Sequence, residues 1–157
     1  MKLFWLCLLV FIILLVIYII IHRFFLKRAT LIMHRQNEEV LDAAVNYAIE
    51  TILPGMPKLQ SQLVADVWGK GVMAFEYSLD TKSSAYHDDR FNRDVLNQAL
   101  ADYAHQHDLK SADPSLPALI TTDWWVYQGI LHIDVAYLSN EATAEYVKDL
   151  KTLSANS

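Results

Sequence analysis

The feature that most constrains this chain is the run Leu3–Ile21, 19 residues rich in Leu, Ile and Val without a single charge. As a helix rising 1.5 Å per residue it covers about 28 Å, close to the ~30 Å hydrocarbon core of a bilayer. Trp5 at one end and Phe24 and Phe25 at the other are residue types that favour the two membrane interfaces. A cleaved signal sequence would end at small residues, whereas this run ends in Ile-Ile-His-Arg-Phe-Phe. The expectation is an uncleaved single-pass anchor over residues 1–22, touching lipid through residues 1–28, with Arg23, Lys27 and Arg28 at the headgroups.

Charge divides the chain at the same place. Up to Arg35 there are five bases and no acids; beyond it, eight Lys and Arg stand against 18 Asp and Glu. The positive-inside preference then places the remainder in the cytoplasm. An acidic domain is repelled by phosphates, which argues against nucleic-acid binding. The one cysteine, Cys7, lies inside the apolar run, so neither an intrachain disulfide nor a CxxC metal motif is available.

No Pro or Gly precedes Pro54. Val40, Ala44, Ala48 and Ile52 share one helical line, with Leu41, Val45 and Ile49 beside it. Helix is therefore expected from the membrane to Leu53, with 23–53 as a basic juxtamembrane segment and stalk. The small residues Ala44 and Ala48 make this stripe either the seam on the chain's own head or a contact with other subunits.

Residues 54–157 are expected to form a small acidic α+β head. Pro57 opens a short helix through Leu59, Leu63, Val67 and Trp68. Val72–Leu79 alternates as a strand, with Met73, Phe75, Tyr77 and Leu79 inward. Asp88 or Asp89 caps a helix whose apolar line is Phe91, Val95, Ala99 and Tyr103, widened by Leu96 and Leu100. Gln128-Gly129 reads as a two-residue hairpin turn. Pairing Tyr127 with Ile130 sets Val126/Leu131, Trp124/Ile133, Thr122/Val135 and Ile120/Tyr137 on one face, and Trp125/His132, Asp123/Asp134 and Thr121/Ala136 on the other. A last helix from Asn140 to Leu153 turns Ala142, Tyr146, Leu150 and Leu153 inward. The economical solution is a small antiparallel sheet with helices packed on one face.

The outer hairpin face is the most pointed candidate site. Asp123 opposite Asp134, with His132 and Trp125 one pair away, could hold a divalent cation or pair with a partner's arginine. Trp125 is of a type enriched at interfaces. Elsewhere the chemistry is thin. His105 and His107, two apart, point to different sides of a helix. His87-Asp88-Asp89 is explained by capping. Ser83, Ser84 and His87 lack a nucleophile elbow, and four glycines form no phosphate loop. No cofactor or enzymatic activity is expected.

In layout the chain resembles pilin-like proteins, including TadE-type minor pilins: an apolar N-terminal helix, a continuing stalk and a small α+β head. The likeness is one of architecture without a sequence motif. It implies a part in a secretion, conjugation or envelope assembly, built on contacts with other proteins or with itself, and a filament or pseudopilus subunit as the second reading. The third reading is a membrane-tethered, metal-dependent binder or enzyme using Asp123, His132 and Asp134.

Overall fold

The structure, a computed structural model, describes residues 2–63, 71–83, 86 and 90–155, without the side chains of residues 2, 3, 6, 7, 26–31, 63, 154 and 155. Its elements run α1 (Lys2–Ile52), β1 (Gln62–Leu63), β2 (Ala74–Asp80), α2 (Arg93–Gln106), β3 (Leu119–Tyr127), β4 (Ile130–Tyr137) and α3 (Glu141–Ala155). The chain divides into two compact units, Met1–Arg35 and Gln36–Ser157.

The first unit is helix. Its window Leu8–Phe25 is long and apolar enough to cross a membrane, and none of it is buried within the protein. Phe4 packs edge-on against Trp5, and Phe24 likewise against Phe25.

The second unit is an α+β domain, and it begins 18 residues before the expected boundary at Pro54. Leu41, Ala44, Val45, Ala48, Ile49 and Leu53 are all at most 2% exposed and belong to the main core. The Ala44/Ala48 stripe is thus the seam on the chain's own head. Of its two readings, contact with other subunits is closed to these two alanines, because their side chains are already covered. α1 stops at Pro54-Gly55, where Gly55 takes φ +88°, a left-handed conformation that side chains disfavour. Asn46 then holds the returning chain, accepting from Leu59 N at 2.7 Å and donating to Leu59 O at 3.0 Å. Around this clamp residues 57–61 run without helix, and Gln62–Leu63 pair with β2. The short helix expected from Pro57 is therefore absent up to Leu63; its later part, including Val67 and Trp68, lies outside the described residues.

All four strands are antiparallel, in the order β1-β2-β4-β3. Met73, Phe75, Tyr77 and Leu79 point inward as the alternation predicts, each at most 1% exposed. Tyr77 reaches back to α1, donating to Asp42 Oδ1 at 3.0 Å. Burial first, and then the negative charge of Asp42, pushes its phenol far above the ordinary tyrosine range. The β3–β4 turn is the expected one: Gln128 and Gly129 both take positive φ, 52° and 80°, as a tight hairpin whose twist matches its strands requires.

The hairpin register holds from Tyr127↔Ile130 to Asp123↔Asp134 and then slips. A β-bulge between Thr121 and Asp123 leaves Thr122 as the extra residue, so Thr121 pairs with Val135 and Ile120 with Ala136. The bulge moves Thr121 to the core face and Ile120 to the other, reversing the expected placement of both. α2 covers the strand edge here. Arg93 donates to the carbonyls of Thr121 and Thr122 at 2.8 and 2.7 Å, and Asn97 Oδ1 accepts from Thr121 N at 2.8 Å. These side chains satisfy edge groups that would otherwise seek a further strand.

α2 is capped by Asn92, whose side chain accepts from Asp94 N and Val95 N at 3.0 Å each. The expected caps Asp88 and Asp89 stand too far upstream and lie outside the described residues. Its buried residues are Leu96, Ala99, Leu100 and Ala104, a stripe turned away from Val95, which is 38% exposed.

α1 and α2 share the inner face of the sheet; α3 lies on the opposite face. Ala144 and Val147 pack with Val72, Ala74, Ala136 and Leu138, and Ile120 and Tyr146 border this second cluster. One-sided packing thus holds for two helices of three. The small side chains Ala74 and Ala136 let α3 approach the outer face at one end. Its buried face is Thr143, Ala144 and Val147, one position around from the expected Ala142–Tyr146–Leu150 line, and Leu153 is exposed. An ion pair between Lys148 and Asp113 ties α3 to the loop between α2 and β3 and holds the Asp113 carboxyl well below the usual range.

Candidate functional site

Beyond α3 the outer sheet face is polar. The strand order brings Glu76 of β2 opposite Asp134 of β4, which in turn stands opposite Asp123 of β3. Three carboxylates therefore cross three adjacent strands in one row. The next row is Ser78, His132 and Trp125. Sequence reasoning brought Asp123, Asp134, His132 and Trp125 together correctly but missed Glu76. The alternation of β2 already put Glu76 outward; what was lacking was the knowledge that β2 pairs with β4.

The two rows are joined. His132 Nδ1 lies 2.6 Å from Glu76 Oε1 and 3.3 Å from Ser78 Oγ. Its ring stacks on the Trp125 indole at 5.0 Å and 9°. Like carboxylates facing one another are destabilising. An imidazole against Glu76 relieves one of them when protonated.

Asp134 gets no such relief. It is 6% exposed, and its Oδ1 has no hydrogen-bond partner among the described residues. Burial first, and then the charges of Glu76 and Asp123, raise its pKa from 3.8 to about 6, against a smaller opposing effect of His132. From α3, Tyr146 faces the same row; burial and the charges of Asp134 and Asp123 push its phenol upward, opposed by a hydrogen bond with Thr122.

A carboxyl raised in this way favours folding in its protonated form. That contribution is fully present below about pH 4 and is lost as the pH rises through about 6. Asp134→Asn should therefore stabilise the protein at pH 7.5 by about 1–2 kcal/mol, after allowance for solvent screening, with the gain shrinking towards pH 4. Urea unfolding of both proteins at the two pH values measures it; an equal difference at both would contradict the assignment.

Among the described residues, no three His, Cys, Asp or Glu side chains converge so as to hold a metal ion. Asp123, His132 and Asp134 are neighbours, but His132 is turned onto Glu76 and Trp125. His107 stacks on Tyr103 at 4.1 Å and caps α2, while His87 and Ser84 lie outside the described residues. Of the expected anchor residues, Trp5, Arg23, Phe24 and Phe25 are exposed on α1; the side chains of Lys27 and Arg28 are not described.

The hairpin also carries an apolar surface. Trp125 is 37% exposed, Tyr127 62% and Ile130 40%, on the same sheet face as the carboxylate row, while Val126, 60% exposed, stands on the opposite face. A charged row beside exposed aromatic and branched side chains is suited to contact with another polypeptide. Comparison with protein-family models, characterised proteins and solved structures finds no match to the chain.

Proposed function

We propose that this chain is a single-pass membrane protein whose acidic α+β head is a non-enzymatic interaction component of a larger membrane-associated assembly. The observation that carries this reading is the β3–β4 hairpin, where Trp125, Tyr127 and Ile130 stand in solvent beside the acidic row. Support for the anchor comes from an apolar helix whose side chains no part of the protein buries. The basic residues from Arg23 to Arg35 favour a cytoplasmic head. A part in secretion, conjugation or envelope assembly fits this outline.

A photo-cross-linking amino acid in place of Tyr127, used in native membranes, tests the proposal. Adducts with other proteins are expected there and not with the same group at Asp102, an exposed position on α2. A ladder of the chain with itself would select the filament-subunit reading. Recovery of monomer alone at both positions would refute an assembly role for this face.

A further inference from the structure

The carboxylate row has the chemistry to choose its partner. Asp134 Oδ1 is buried in the middle of the row without a donor among the described residues. Asp123 beside it is exposed, with Oδ1 accepting from Trp124 N at 2.7 Å. Trp125 follows on the same strand face, at the sheet edge. One side of its indole is stacked on His132, and the residue keeps 37% of its surface in solvent. A planar cation is the group that meets both demands, giving donors to the carboxylates and a flat surface to the indole.

We propose that this face binds an arginine side chain of a partner protein, its guanidinium stacked on Trp125 and paired with Asp123 and Asp134. The inference rests on the interaction reading above and names the chemistry of the partner. Charge complementarity supports it: beyond Arg35 the chain carries 18 acids against eight bases. Lysine, a point charge without a flat face, meets the carboxylates but not the indole. The exposed Tyr127 and Ile130, one row beyond Trp125 on the same face, supply apolar contact for residues flanking the arginine, which points to a polypeptide and not a free cation.

The test uses the full chain in mild detergent and three capped peptides: tetra-arginine, tetra-lysine and tetra-citrulline, the last an uncharged isostere. The Trp125 indole N–H signal, assigned with Trp125→Phe, is followed by NMR. Saturable shifts are expected with tetra-arginine, about fivefold weaker binding with tetra-lysine and none with tetra-citrulline. Asp123→Asn and Asp134→Asn should each weaken tetra-arginine binding about tenfold. Glu141→Gln, an acid on α3 outside the row, should change it less than about twofold. Equal binding of arginine and lysine peptides, or equal losses in all three variants, would show generic attraction to an acidic surface and overturn the proposal. Those results would leave partner adducts at Tyr127 intact, so failure of the arginine assignment is separable from failure of the interaction reading.

Discussion

A fragment that begins at Gln36 is expected to fold cooperatively, and one that begins at Pro54 is not. The compact domain starts at Gln36, and the second half of α1 forms one wall of its core. Starting at Pro54 removes Leu41, Ala44, Val45, Ala48 and Ile49, each at most 2% exposed, together with Leu53. Truncating one such Leu or Ile to Ala costs about 2–5 kcal/mol. Removing three, and uncovering Phe75 and Tyr77 as well, exceeds the ~5–15 kcal/mol by which domains are stable. The loss also takes Asn46 and Asp42, partners of Leu59 and Tyr77. Near-ultraviolet circular dichroism and thermal unfolding of the two fragments decide the matter. A sigmoidal transition at similar temperature in residues 54–157 would show that α1 is dispensable to the head.

Asn140→Ala should release α3, with a loss of about 2–4 kcal/mol. Its Oδ1 accepts from Thr143 N and Thr143 Oγ1, at 2.8 and 2.9 Å, as an N-cap does. Its Nδ2 donates to Gly71 O at 2.8 Å, while the fully buried Thr143 Oγ1 accepts from Met73 N at 2.9 Å. The side chain thus ends a helix and fastens it to the segment leading into β2. Cap loss alone is worth about 1 kcal/mol, and each polar group stranded in the interior adds about 1–3. Asn92→Ala is the comparison, because Asn92 also caps its helix through a side-chain oxygen, with bonds to two backbone N–H groups that are exposed. It should cost about 1 kcal/mol. Hydrogen exchange should quicken first in α3 amides of Asn140→Ala. Equal losses in the two variants would mean that the Gly71 and Met73 ties add nothing. The result bears on the site, since Tyr146 of α3 faces the carboxylate row.

The candidate site was half legible. The two-residue turn fixes a register that must carry Asp123 to Asp134 and Trp125 to His132, because pairing across a hairpin is local. Glu76 comes from a strand more than 50 residues earlier, so its place in the row depends on a long-range pairing that no local pattern encodes. The burial of Asp134 has the same origin: a residue on an outward-facing position becomes 6% exposed only when neighbouring strands and α3 close around it.

By itself the sequence determined what depends on composition and short-range periodicity. It determined the apolar segment, the charge division at Arg35, the helix stop at Pro54-Gly55, the inward face of β2 and the hairpin turn at Gln128-Gly129. Each is fixed by backbone preference or by side-chain spacing within about ten residues. Only the tertiary structure decided where the domain begins, that β1 pairs with β2, that a bulge exchanges the faces of Ile120 and Thr121, and that α3 takes the opposite side of the sheet. An apolar stripe such as Leu41–Leu53 demands burial but does not say against what. The answer comes from which distant surfaces can close over it: here the inner face of the sheet, which makes the end of α1 part of the head.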